Sequence, residues 1–392
     1  MNDLLYRLAR RLIAVPGYTE LPEKETQVAL ELEAILRELG LEPELRDYSG
    51  RFNVVATVDS GLPGPHVVLC THLDTVPPYD MADPFRAVLR EGKLYGRGAV
   101  DVRGTLAAMA VALANLNQRK SALRGKVSLL AVADEESGSF GMRQEVARGF
   151  VGDVTIVGEP TELKLGVAHK GVCWDEVEFF GKSAHGSVPW QGRSAIRDAV
   201  AFLNLMETTL MPALADNPHP LLGPATVNVG RMEGGTRPTI VPERCRLQID
   251  RRLIPGETCQ TAFEGFQALL DRLAKQRPGL RGKQALLLGG PEKPFPPLDC
   301  SREAGWIEAI CRAAAPVVGH RPEVVGLPFW TDAALAAWNT GKAAFVLGPG
   351  SIAQAHANDE YVLWDQLEQA AVVYEAIGLT LCGKENSHEN HG

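Results

Sequence analysis

At five places along this chain an apolar run ends on residues that could bind metal. "VVLC" (67–70) leads through Thr71 to His72 and Asp74, and "KLYGRGAV" leads to Asp101. "VSLLAVA" leads to Asp134, Glu135 and Glu136, "VTIVG" to Glu159, and "AAFVLGPG" to His356. Two imidazoles with several carboxylates suit zinc, cobalt or manganese better than calcium or a thiolate-bound metal. Charge favours a pair of ions. Asp101, Glu136 and Glu159 bring three negative charges and a bridging hydroxide a fourth, which balances two divalent cations in a hydrolytic centre. Asp74 would then bond the far nitrogen of His72 and fix its tautomer. Neighbours in an extended chain point to opposite sides, so one of Glu135 and Glu136 faces metal and the other a reactive water, as general base.

Taken singly, each residue has a plainer reading. Asp101 fits the N-cap of a helix starting near Gly104, Glu135-Glu136 a solvated turn, and either histidine a hydrogen-bonded loop position. Their common placement after strands is what argues for one site, because ligands in open α/β sheets gather beyond the carboxyl ends of the strands.

The elements that must place them follow from periodicity. Helical patterns cover 3–15 and 24–40, the second closing at Gly40, and recur at 104–118 and 193–210. Continuous apolar, β-branched runs at 53–58, 66–71, 126–133, 154–159 and 342–348 predict a mixed, mostly parallel α/β sheet flanked by helices. Residues 169–290 differ in texture. "KGVCWDEVEFFG" and "RCRLQIDRRLIP" alternate polar and apolar, around helical stretches 193–210 and 258–276, which predicts a smaller α+β domain inserted in the first. The catalytic domain would therefore comprise 1–168 and 291–382, with 383–392 a disordered tail.

Length agrees, since 392 residues exceed what one core usually holds. A net charge of −8 and the lack of a basic, aromatic-laced cluster argue against nucleic acid. No run approaches a membrane span, and "MNDLLYRLARRLIAVPG" reads as an amphipathic helix and not a signal peptide. Seven scattered cysteines without a C-x-x-C pair fit a reducing, cytoplasmic setting. "GRGAVDVRG" imitates a dinucleotide loop, but its third glycine position holds Asp101, which would repel pyrophosphate. A noncatalytic metal-binding protein is the remaining rival, and a base beside the proposed ligands argues against it.

The ordered set "THLDTVP", "YGRGAVDVRG", "DEESGSFG", "GEPT" and "GKSAHGSVPWQG" resembles the dinuclear-zinc M20 metallopeptidases over nearly the whole chain. The resemblance implies that His72 and Glu159 hold one zinc, Glu136 and His356 the other, and that Asp101 bridges both. It implies Glu135 as proton shuttle, Asp74 as partner of His72, and a homodimer through the inserted lid. His185 of "SAHGSVP" would steady the oxyanion, from its own or the partner subunit. Arg252 in "LQIDRRLIPGE", on one strand face with Asp250, would clamp a substrate carboxylate; a surface ion pair is the plainer reading. Two departures stand out: Asp101-Val102-Arg103 where relatives carry Asp-Met-Lys, and Thr239 where a substrate-contacting asparagine is common. Glu159, where dipeptidase branches tend to carry aspartate, points to the deacylase side. The expected activity is removal of an acetyl- or succinyl-like group from an N-acyl amino acid, through a metal-bridged water with Glu135 as base. The alternative is a carboxypeptidase or dipeptidase acting on short peptides with the same site.

Overall fold

The computed structural model describes residues 3–384. Of the expected tail, Gly383 bridges to Leu123 and the Lys384 amide donates to the Ala122 carbonyl at 3.0 Å, while 385–392 lie outside the described residues. The chain forms two compact units. The first contains the residues through Val167, Cys300–Val325 and those from Thr331 onward; the second contains Ala168–Asp299 and Gly326–Trp330.

In the first unit the sheet runs, side by side, through Pro43–Tyr48, Arg51–Asp59, Lys126–Val132, His66–His72, Val154–Val157 and Ala343–Val346. The last four are parallel to one another, and the two before them are antiparallel. The sheet is thus mixed, parallel at its centre, with antiparallel flanks. Central strands are buried on both faces, Val154–Val157 and Ala343–Val346 at every residue, so they read as unbroken apolar runs and not as alternation. Pro43–Tyr48 escapes the sequence pattern because it is a polar edge strand.

One helix, Arg103–Gln118, explains its alanine-rich sequence by its position. It packs on the sheet and against helices Asp3–Ala14 and Trp364–Cys382, and is buried nearly all round. Helices Phe140–Ala147 and Ala333–Ala337 pack on each other and on other parts of the sheet. Close packing reaches the strand end at Gly158, where an added Cβ would lie 2.5 Å from both Met109 Cε and Thr105 Cγ2. Only glycine lets the chain pass the helix there, one residue before Glu159.

The second unit has an antiparallel sheet ordered Thr226–Gly234, Arg244–Leu253, Gly171–Phe180, Arg281–Leu288. Burial along Arg244–Leu253 alternates strictly after its first residue, as the sequence texture predicts. Helices Ala195–Leu205 and Cys259–Gln276 cover one face through Phe179, Phe202, Leu247, Phe266 and Leu270. Where the sequence reading returns to the first domain at 291, this compact unit runs on to Asp299. The reason is local: Leu298 and Asp299 pair with His169 and Ala168, and Trp330 meets the rings of Phe295 and His169.

Arg103 ties the first unit's N-terminal helix to the end of the central strand. Its guanidinium is buried and donates to the carbonyls of Leu73 (3.0 Å), Leu12 (2.6 Å), Val15 (2.7 Å) and Gly17 (3.2 Å). Burial pushes its pKa down to about 10. Arg103→Met would leave these carbonyls without that donor, at roughly 1 kcal/mol each. We expect about 4 kcal/mol of lost stability in urea unfolding, with Arg103→Lys recovering less than half of it.

Candidate metal centre

Parallel register brings the first residues together. His72 ends its strand opposite Val132 of the neighbouring strand, and Cys70 lies opposite Val157 on the other side. The loops leaving these strands carry Asp74, then Asp134 to Glu136, then Glu159, at one edge of the sheet. Asp101 precedes the helix Arg103–Gln118 without capping it, since Val102 is the N-cap and no side chain closes the end. The Asp101–Val102 peptide is cis. His356, with φ of +62°, comes from the loop after Ala343–Val346.

Asp101 stands between the two imidazoles. Its Oδ1 lies 3.1 Å from His72 Nε2 and its Oδ2 lies 3.1 Å from His356 Nε2. Glu159 Oε1 is 3.5 Å from His72 Nε2, and Glu136 reaches His356 Nε2 at 3.3 Å. Ligand atoms of His72, Asp101 and Glu136 all fall within 4.8 Å of one another. This donor set fits the implied pair of cations: nitrogen and oxygen only, one carboxylate oxygen facing each imidazole, and a further carboxylate behind each.

Protonation behaviour agrees with crowding. Burial, with neighbouring acids, pushes the Glu135, Glu136 and Glu159 carboxyls up. Burial pushes Asp332 nearby up to about 7. Against its own burial, Asp101 is held low by His356 and His72. His72 is raised although burial opposes it, chiefly by Asp101 and Asp74.

Asp74 does more than the expected contact with His72. His72 Nδ1 faces the Asp74 backbone carbonyl at 2.9 Å, with the carboxylate farther off at 3.5 Å. A carbonyl can only accept, so Nδ1 carries a hydrogen, and Nε2 is turned toward Asp101 and Glu159. The Asp74 carboxylate also accepts the Glu135 and Glu136 amides, each at 3.1 Å. It therefore fixes the loop that bears both glutamates.

That loop has a second anchor which sequence reading misses. Arg51 donates twice to buried Glu25, at 2.8 and 2.7 Å, and once to Asp134 Oδ1 at 2.5 Å. Asp134, at φ +71°, also takes the Gly138 and Ser139 amides on its carbonyl. Glu25 lies in a helical pattern and Arg51 just ahead of the 53–58 strand pattern, and nothing in their spacing signals the contact. Glu360, whose side chain accepts the Val100 and Asp101 amides, is likewise silent.

The remaining candidates belong to the second unit. His185 is exposed, with Nδ1 2.7 Å from Ser187 Oγ, and its backbone bridges to Ile240. The Gly186 amide donates to the Thr239 carbonyl at 2.7 Å, so the segments of His185 and Thr239 lie side by side. Arg252 Nε donates to Asp250 Oδ2 at 2.9 Å, the same-strand ion pair that the sequence allows as the plainer reading.

Comparisons bear on these features. An acetylornithine deacetylase from Proteus mirabilis (strain HI4320) is 31% identical over 370 residues, covering 91% of each chain. Another, from Edwardsiella ictaluri (strain 93-146), is 32% identical over 373 residues, covering 91% of this chain and 92% of its own. Among solved structures, an M20 family metallo-carboxypeptidase from Sulfolobus solfataricus superposes with a TM-score of 0.78 at 22% identity, over 97% of this chain and 99% of that one. The profile of Peptidase family M20/M25/M40 matches residues 68–379, a span that begins in the His72 strand and ends in the last helix. The chain belongs to this peptidase family and is a hydrolase of amide bonds.

Proposed function

We propose that this protein is a two-metal amidohydrolase that removes an acetyl- or succinyl-like group from an N-acyl amino acid. The observation that carries the reading is Asp101, whose two oxygens each face a different imidazole at 3.1 Å. His72 and Glu159 would hold one ion, His356 and Glu136 the other, and Asp101 both. Zinc suits the donor set, with cobalt or manganese as substitutes. The bound ions would supply Lewis-acid polarisation of the amide carbonyl and an acidified water.

The chain's own residues do the rest. Glu135 takes the proton of the attacking water and returns it to the leaving nitrogen. Asp74 keeps that carboxylate aimed by holding its backbone amide, and the Arg51–Asp134 pair holds the other side of the same turn. His185 donates to the oxyanion that develops on the substrate carbonyl. The Arg252 guanidinium receives the substrate carboxylate, and Thr239 contacts the acyl group.

The acetylornithine deacetylases aligned over most of the chain support the deacylase reading. The carboxypeptidase or dipeptidase reading uses the same centre, and the likeness in fold to a metallo-carboxypeptidase keeps it in view. A homodimer through the second unit is supported by Thr226–Gly234, a nine-residue edge strand whose residues are mostly exposed. The seven cysteines, all buried free thiols, support a cytoplasmic setting. Among the described residues no helix is long and apolar enough to cross a membrane.

Glu135→Ala is expected to retain metal by elemental analysis and to lose turnover by about 10³-fold or more; near-normal turnover would overturn its role. Asp74→Asn keeps one acceptor oxygen for two amides, so we expect kcat to fall roughly 10- to 100-fold with a smaller change in KM, in proportion to one lost charge-assisted bond. A panel of N-acetyl and N-succinyl amino acids against dipeptides, assayed with and without chelator, separates the readings. The deacylase reading requires chelator-sensitive release of acetate or succinate to exceed peptide cleavage.

A further inference from the structure

One buried carboxylate lies behind the centre without belonging to it. Glu360 is fully buried, and its two oxygens do different things. Oε1 accepts the amides of Val100 at 3.0 Å and Asp101 at 3.1 Å, while Oε2 accepts Arg97 Nη1 at 2.5 Å. Successive amides converging on one oxygen form a small anion-binding nest, here filled by the chain's own side chain. The Glu360 carbonyl also accepts the Gly96 amide at 3.3 Å.

The contact continues a pattern. Tyr361, Val362 and Leu363 pair with Tyr95, Leu94 and Lys93, so residues 93–101 and 356–363 run together from a strand pair, through Glu360, to the meeting of Asp101 with His356. The turn before Asp101 is built for this. Gly98 has φ of +85°, and an added Cβ would come within 2.6 Å of Arg103 Cγ. Without an acceptor inside it, the turn would leave the Val100 and Asp101 amides buried and unpaired.

We propose that Glu360 is a positioning residue for the Asp101–His356 half of the centre. Its Oε1 fixes the backbone from which Asp101 projects, and its own backbone, four residues after His356, ties that turn to the His356 loop, so it governs how tightly the second cation is held. This rests on the reading of Asp101 and His356 as ligands. The Arg97 ion pair serves a separate end, the neutralisation of a buried charge, which gives the inference its test.

Glu360→Gln keeps an acceptor for the two amides and loses the charge. Glu360→Ala loses both. The full-length protein, stripped by dialysis against chelator, is titrated with Co²⁺ and followed by visible absorption, alongside thermal unfolding of the metal-free form. Two binding steps are expected for the parent. In Glu360→Ala the weaker step should loosen 10- to 100-fold, while in Glu360→Gln it should stay within about threefold. Both variants should unfold at lower temperature, because both leave Arg97 without its counter-charge. Should Glu360→Ala not fold, Arg97→Met/Glu360→Ala against Arg97→Met/Glu360→Gln makes the same comparison with the orphan charge removed. Unchanged Co²⁺ binding in the alanine variant, or equal loosening in both variants in step with their stability, overturns the positioning role. A parent that binds no Co²⁺ overturns the metal reading itself and the inference with it.

Discussion

Carboxylates buried beside one another are the constraint on which this structure turns. Glu135, Glu136 and Glu159 are all pushed up by burial, and Asp101 stays low only because an imidazole faces each of its oxygens. Among the described residues no arginine or lysine is hydrogen-bonded to Asp101, Glu136 or Glu159. The chain has buried cations at hand and directs them elsewhere. Arg51 goes to Glu25 and Asp134, Arg97 to Glu360, and Arg103 to backbone carbonyls. A guanidinium turned toward the ligands would neutralise them permanently and abolish their affinity for cations. Keeping these arginines one residue removed lets them hold the backbone rigid while the acids remain available.

This division explains what could be read from sequence. The candidate ligands sit where chain direction alone exposes them, at the ends of parallel strands, so His72, Glu136 and Glu159 follow apolar runs visibly. Supporting residues have no such address. Glu25 lies 26 positions from Arg51, and Glu360 lies 259 from the amide it holds. Both side chains enter the site sideways, through tertiary contact, and a lone glutamate beside a helix or a short strand carries no periodic signal. The polar edge strand Pro43–Tyr48 was hidden for a related reason: its pairing is set by its neighbour and not by its own apolar content.

Asp74 shows how one residue can carry more than its spacing tells. Its spacing from His72 suggested a carboxylate-to-imidazole bond, the commonest way of fixing a ligand tautomer. In the fold its backbone carbonyl, at 2.9 Å, shares that work with the carboxylate at 3.5 Å, and the carboxylate also holds the next loop. One residue thereby couples the orientation of His72 to the aim of Glu135. Spacing alone could not have separated the two, because backbone and side chain of one aspartate leave the same point in opposite directions.

The same distinction between address and partner applies to Arg252. Alternation along Arg244–Leu253 placed Asp250 and Arg252 on one strand face, and there they meet at 2.9 Å. Asp250 is itself held, since Trp174 Nε1 donates to its other oxygen at 3.2 Å. The aspartate is thus the fixed member and the guanidinium the movable one. A substrate carboxylate bound through the two terminal nitrogens would share the guanidinium with Asp250, which keeps Nε. What the ion pair contributes in advance is order in a long, flexible side chain, which would lower the entropic cost of such a contact. An arginine with an internal carboxylate partner is therefore compatible with a binding role, provided the partner anchors only its Nε and leaves the two terminal nitrogens to the incoming acid.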